Sequence, residues 1–335
     1  MGAGGRSGIV YSPSTARTSG HAPPGDWSDD RMAAYVIERV IRSILVLLGV
    51  VVVAYMLVLL TGDPAATIAG PDASPEDVAR VRRDLGYDQP VPIQMVRYLG
   101  RILQGDFGRS STYRQAAFPL IVERLPATLA LTGAAMLINL AIALPLGIYS
   151  AVKRGGAVDW IGTVLVFAGQ SMPVFWMGIM LILLFSLTLQ LLPASGYGWK
   201  NVIMPAFVLG IHGAAYQTRL LRSAMLEVLG QDYLRTARAK GLLEQAVIIR
   251  HGLRNALIPV ITASGVQFAV LMGGAVIVET VFAWPGVGSL AVSAINNRDV
   301  ALVVSATFVF AVFILIANLI VDLSYGLVDP RVRLS

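Results

Sequence analysis

Long apolar runs alternate with short polar clusters along most of the chain. The stretches 44–60 and 302–320 carry no charged residue. About 20 residues rising about 1.5 Å each cross a hydrocarbon core about 30 Å thick, so runs of this kind predict membrane-crossing helices. Counting similar runs gives spans at roughly 41–60, 127–151, 160–189, 202–221, 257–281 and 300–323, about six in all. Most are joined by loops short enough to force up-and-down threading. The predicted fold class is all-α, a polytopic membrane protein.

The polar clusters divide the rest. Residues 1–31 are rich in Gly, Ser, Pro and Ala and too poor in apolar side chains to bury a core, which predicts a disordered tail. Residues 32–62 then hold the first span and 63–125 a small extracytoplasmic insertion. The main transmembrane core is expected over 126–325, with its largest cytoplasmic loop at 222–256, and 326–335 form a cytoplasmic tail. Within the insertion, Ser74-Pro75-Glu76-Asp77 reads as a helix cap followed by a first-turn proline and acids, and Gly86 as the stop. A second short helix is predicted over 92–103, with Ile93, Val96, Leu99 and Leu103 on one face. Gly105-Asp106-Phe107-Gly108 reads as a turn. The insertion is expected to rest on the bilayer surface.

Composition agrees with the pattern: 56% of the 335 residues are hydrophobic and 14% charged, against about 25% charged in soluble domains. The net charge of +6 is concentrated in loops. Lys153 and Arg154 follow the second span. Arg219, Arg222, Arg235, Arg238, Lys240, Arg250 and Arg254 cluster around the loop after the fourth, and Arg331 and Arg333 close the chain. By the positive-inside rule both termini are cytoplasmic. The insertion balances eight basic against eight acidic side chains and does not oppose export. No basic patch carries interleaved exposed aromatics, so nucleic acid is not an expected partner. With no cysteine in the chain, disulfides, thiolate metal sites and cysteine nucleophiles are excluded. No catalytic residue and no metal site is predicted.

The absence of a P-loop narrows the energetics. A P-loop ATPase needs a Gly-Lys-Ser/Thr run, yet Lys153, Lys200 and Lys240 are the only lysines and none follows a glycine. Any ATP chemistry of that kind belongs to another chain. Proton- or sodium-driven transporters usually hold acids in mid-span, whereas Glu279 and Asp322 lie near span ends. A stand-alone secondary transporter or channel is thereby weakened, and a membrane anchor that scaffolds partners is a third reading.

One cytoplasmic segment carries a distinct signal. Asp232 is placed to cap a helix over 233–240 that Gly241 ends in the left-handed conformation. Tyr233, Leu234 and Ala237 form its apolar face, and Arg235, Arg238 and Lys240 its cationic edges. Two helical turns are marginal alone and need something to pack on. A groove on a soluble partner is one solution; packing on the chain's own bundle is the other.

Polar groups inside spans mark a candidate translocation path: Asn139, Gln170, Ser171, His212, Gln217 and Gln267. Each serves either to bond helices together or to meet solute. Gln170 and Ser171 are favoured for the path because Pro173 beside them frees backbone carbonyls. An uncharged path passes varied zwitterions and leaves selection to a separate receptor. The Gly- and Pro-interrupted stretch 282–298 reads equally as a surface loop or as an outer gate, with Trp284 as plug and Glu279 and Pro285 beside it.

These residues resemble a family. Asp232-Tyr233-Leu234-Arg235-Thr236-Ala237-Arg238-Ala239-Lys240-Gly241, followed by His251-Gly252-Leu253-Arg254-Asn255-Ala256-Leu257-Ile258-Pro259, is similar to the cytoplasmic loop of binding-protein-dependent ABC importers. Arg235-Thr236-Ala237 stands where many members have Glu-Ala-Ala, as in the dipeptide, oligopeptide and nickel branch. Leu85-Gly86-Tyr87-Asp88-Gln89-Pro90, Glu123-Arg124-Leu125-Pro126-Ala127-Thr128 and Glu279-Thr280-Val281-Phe282-Ala283-Trp284-Pro285-Gly286 resemble the first of that branch's two permease types. The resemblance implies a type I importer fold and a coupling helix at Asp232 to Gly241 that docks on an ATPase subunit. It also implies a heterodimer with a homologous permease, two ATPase subunits holding ATP and Mg, and an external solute-binding protein. The setting would be a bacterial cytoplasmic (inner) membrane. Dipeptides, longer peptides, glutathione and nickel chelates are the solutes it allows.

Overall fold

The computed structural model describes residues 29–70 and 72–328, so most of the predicted tail at 1–31, and the chain after 328, lie outside the described residues. Residues 1–42 and 43–335 form two units. In the first, Arg42 pairs with Glu38 one helical turn back. The second contains everything that follows.

The described residues are almost entirely helical. α1 (Asp29–Thr61) is followed by three short helices, α2 (Pro64–Ala69), α3 (Pro75–Leu85) and α4 (Val91–Leu103). Then come α5 (Ala117–Val152), α6 (Ala157–Ser171) and α7 (Val174–Leu181), which runs on as a π-helical stretch, Ile182–Thr188. After α8 (Ile203–Leu229) stand α9 (Asp232–Ala239) and α10 (Glu244–Ala246). A second π-helical stretch, Val247–Leu253, leads into α11 (Arg254–Val281), and α12 (Val287–Asn296) and α13 (Val300–Val328) complete the order.

Among the described residues, four helices are long and apolar enough to cross a membrane: within α1, α5, the stretch ending in α11, and α13. The predicted span 160–189 is not one straight helix. It is α6 and α7 meeting at a bend of 106°, because Pro173 has no N–H to continue the ladder and its ring displaces the preceding carbonyl. The predicted span 202–221 lies almost wholly in α8, whose charged end extends it to Leu229. α5 begins nine residues earlier than the 126 boundary, carrying Pro126 and Pro145 inside it.

α5 and α8 pack at backbone distance. A Cβ on Gly210 would stand 2.5 Å from the Ala135 carbonyl oxygen, so only glycine allows this approach. Small residues at such a crossing let dispersion and polar contacts hold helices where lipid offers no hydrophobic contrast. The largest buried cluster joins α5, α8 and α11 through Leu131, Met204, Leu209, Leu271 and Phe282.

Short helices fill the stretch between α1 and α5. The Ser74 side chain accepts from the Asp77 N–H, and Gly86 closes α3 at φ 73°. α4, however, turns Gln94 and Tyr98 inward and leaves Ile93, Val96 and Leu103 exposed. The Tyr98 ring stacks on Tyr55 at 4.8 Å, and the Tyr55 hydroxyl donates to Gln94 Oε1 at 3.1 Å. Burial pushes the Tyr98 and Tyr87 hydroxyls above the usual phenol range, so this small core stays neutral. Asp299, buried at the head of α13, accepts from the Thr112 N–H at 3.0 Å and from the Ser110 hydroxyl. That carboxylate ties the end of the insertion to the last span.

Candidate functional site

α9 leaves the end of α8 after a single turn and is bounded as a two-turn helix. Its first residue is Asp232, not the cap: Gln231 holds the N-cap position and makes no side-chain cap bond. Asp232 instead pairs with Arg235 at 3.3 Å. Gly241, at φ 78°, ends the helix as predicted, its N–H donating to the Arg238 carbonyl at 2.9 Å. Positive φ has little cost for glycine alone.

The faces of α9 divide differently from the predicted apolar-in, cationic-edge arrangement. Leu234 is fully buried and Ala237 nearly so, against Val228, Leu229 and Val247 of the chain's own bundle. Tyr233 lies on the exposed side, 42% accessible. Its hydroxyl accepts from Asn255 Nδ2 at 2.8 Å and donates to the His251 carbonyl at 3.3 Å. Arg238 grips the Glu244 carboxylate at 2.9 and 3.1 Å, and those hydrogen bonds hold its guanidinium above its usual value. Arg235 and Lys240 face outward. Leu243, 80% exposed beside them, escaped the sequence reading because it follows the helix-ending glycine. The result is a packed knob: apolar contacts fix it to the end of α8 and to the π-helical stretch that leads into α11, and a cationic, partly apolar face is offered to the outside.

The path candidates fall into two groups. Gln170 and Ser171 are exposed at the α6–α7 break, the Ser171 hydroxyl donating back to the Phe167 carbonyl at 2.9 Å. His212 of α8 reaches the same break, Nε2 lying 2.9 Å from the carbonyl of Met172, which caps the end of α6. The others lie between helices. Asn139 is fully buried, with neither amide atom hydrogen-bonded. Its Nδ2 and the Gln267 amide nitrogen crowd over Gly213, 2.2 and 2.5 Å from where a Cβ would stand. Gln217, also fully buried, donates to Ser264 Oγ at 3.2 Å. Asn139, Gln217 and Gln267 thus form a polar seam joining α5, α8 and α11.

The gate candidates are locked down. Glu279 is fully buried and accepts from Thr128 Oγ1 at 2.6 Å and from the Ser289 N–H at 3.0 Å. Thr128 Oγ1 also accepts from the Val287 N–H at 2.8 Å. Trp284 is 2% exposed, its Nε1 donating to the Ala127 carbonyl at 2.9 Å. A Cβ on Gly286 would fall 2.2 Å from Glu279 Oε1, so the Pro285-Gly286 turn is pressed onto the carboxylate. Nothing local in the sequence marks Thr128 as a partner of Glu279; only the fold brings it against a residue 151 positions away.

A bent, Gly-packed helical bundle that spans a membrane and presents a rigid two-turn helix beyond it defines a polytopic permease subunit. The chain belongs to the binding-protein-dependent transport system inner membrane components, matching that family over residues 143–334 and its N-terminal region over 32–132. It is 41% identical over 304 residues to the glutathione transport system permease protein GsiC of Salmonella paratyphi A, covering 90% of this chain and 99% of that one. A putative peptide transport system permease protein of Brucella abortus is 42% identical over 313 residues, again covering 90% and 99%. Among solved structures, an inward-facing form of the MetNI methionine ABC transporter has the same fold. Its TM-score is 0.51 at 18% identity, over 63% of this chain and 96% of that one. Membership in this family sets aside the readings as a stand-alone transporter, channel or anchor.

Proposed function

We propose that this chain forms half of the translocation path of an ATP-driven importer for peptides or peptide-like solutes, delivered by an external binding protein. Its relatives named for glutathione and peptide transport support that solute class. The partners in this reading are a homologous second permease and two ATPase subunits that hold ATP and Mg. The membrane is a bacterial cytoplasmic one with both termini inside, as the basic loops favour. The lack of a P-loop lysine assigns hydrolysis to those partners.

The observation that carries the reading is α9. Its buried Leu234 and Ala237 pack it against the end of α8 and the π-helical stretch that continues into α11, so a push on its exposed face is passed into the bundle rather than taken by the helix alone. Tyr233, Arg235, Lys240 and Leu243 are then the docking face for the ATPase. Gln170, Ser171 and His212 at the α6–α7 break are the solute-facing set, whereas Asn139, Gln217 and Gln267 hold the bundle together. Glu279, Trp284 and Pro285 form the hinge of an outer closure whose base is fixed on Thr128.

Gly241→Pro tests the coupling. Proline cannot adopt a φ of 78° and deletes the N–H that closes α9. In proteoliposomes carrying the whole complex and its binding protein, ATP hydrolysis should persist while uptake of labelled dipeptide or glutathione falls at least tenfold. Unchanged uptake would remove α9 from the mechanism.

A further inference from the structure

At the end of the bundle where α6 begins and α8 approaches α9 lies a cavity of about 520 Å³, within the range of about 300–1,000 Å³ that small-molecule sites occupy. Asp159, Trp160, Phe167, Thr218, Arg219 and Arg222 line it. Its charges do not cancel. Asp159 is committed, accepting from the Gly155 N–H at 3.1 Å and lying 3.8 Å from Arg222. Arg219 has no acidic partner among the described residues and sits over the Phe167 ring at 4.9 Å. Two further donors lie within the cavity wall without a partner, sealed from the cavity itself. Thr218 is 95% buried with its hydroxyl unpartnered, and Arg222 Nε is buried without a hydrogen bond.

We propose that this cavity binds the phosphate of an anionic phospholipid, with the guanidinium groups of Arg219 and Arg222 as its donors. One guanidinium without an acidic partner, beside a second whose single acid lies 3.8 Å away, asks for an anion with several acceptor oxygens. The rim selects a lipid over a soluble anion: Trp160 is 69% exposed and Ile161 49% exposed beside it. Such residues sit at the headgroup level with apolar surface toward acyl chains. In the orientation proposed above, this end faces the cytoplasmic leaflet, where anionic lipids and basic inter-helix pockets meet. The site lies on α8 about two helical turns before that helix ends at Leu229 and α9 follows, so a bound lipid steadies the helix that carries the coupling knob.

Tryptophan quenching tests the assignment. The complete complex is placed in symmetric phosphatidylcholine vesicles containing either brominated phosphatidylglycerol or brominated phosphatidylcholine. The Trp160 signal is isolated by subtracting the Trp160→Phe protein. Half-quenching should need about fivefold less of the anionic lipid, the effect of one uncancelled arginine. Arg219→Gln should make the two lipids about equal, and Arg219→Lys should keep most of the preference. Both leaflets carry both lipids, so the result does not depend on orientation. Equal quenching in the unaltered protein overturns the proposal. So does the absence of quenching by either lipid, which means that protein covers the cavity. Relief of the anionic-lipid quenching by millimolar glycerol 1-phosphate also overturns it, reassigning the site to a soluble anion.

Discussion

Thr128 serves two partners with one oxygen, donating to Glu279 and accepting from the Val287 backbone. Removing it leaves a buried N–H unmet and a buried carboxylate short of a donor, and each loss costs about 1–3 kcal/mol. Thr128→Val should therefore lower stability by about 2–4 kcal/mol, seen as a lower unfolding midpoint in detergent, while Thr128→Ser stays near the original. Gly210 makes a second, independent test. Gly210→Ala places a methyl 2.5 Å from a backbone oxygen that cannot yield and should loosen the α5–α8 crossing. Gly133→Ala on the same α5 meets nothing within 4 Å and should be neutral or slightly stabilising, by up to about 1 kcal/mol from helix propensity. Thermal unfolding of the pair, measured side by side, separates close approach from propensity.

At the scale of single elements, α9 is the informative case. A two-turn helix does not persist without packing, and Leu234 provides most of that packing. Leu234→Ala should cost about 2–5 kcal/mol, locally rather than globally. Amide exchange should accelerate across 232–240 while α5 and α8 remain protected. The place of α9 to within one residue at each end, its Gly241 terminator and the Ser74 cap of α3 were legible, because they depend on residues within a turn of one another; its N-cap was not, Gln231 holding the position expected of Asp232. Its buried face was not. Leu234 and Ala237 could have served a partner's groove or the chain's own bundle, and only the approach of Val228 and Val247 decides. The same limit explains α4, whose apolar stripe points outward because the stacked Tyr55 and Tyr98 rings and the Gln94 bridge claim the other side. The Pro173 break was legible as a kink; its 106° size depends on how α7 repacks against α8 and α11. Glu279 read as an acid near a span end, yet its partners Thr128 and Ser289 come from two other elements, which no local pattern connects.

For the molecule as a whole, the sequence pattern foretold a helical membrane bundle with an insertion after its first span, and membership of the transport family agrees. What local patterns could not foretell is the division of polar groups. Asn139, Gln217 and Gln267 lie between helices inside the bundle, while Gln170 and Ser171 stay open at the break. In the proposed mechanism no fuel is consumed in this chain, so its motion must enter through α9. The chain has no native cysteine, which makes a single introduced one unambiguous. The most direct measurement is cross-linking of Arg235→Cys in the assembled complex to a cysteine on the ATPase surface, with and without ATP and Mg. The account predicts a permease–ATPase adduct whose yield changes with nucleotide. A cysteine that forms no adduct and reacts instead with a lipid-soluble maleimide would contradict it.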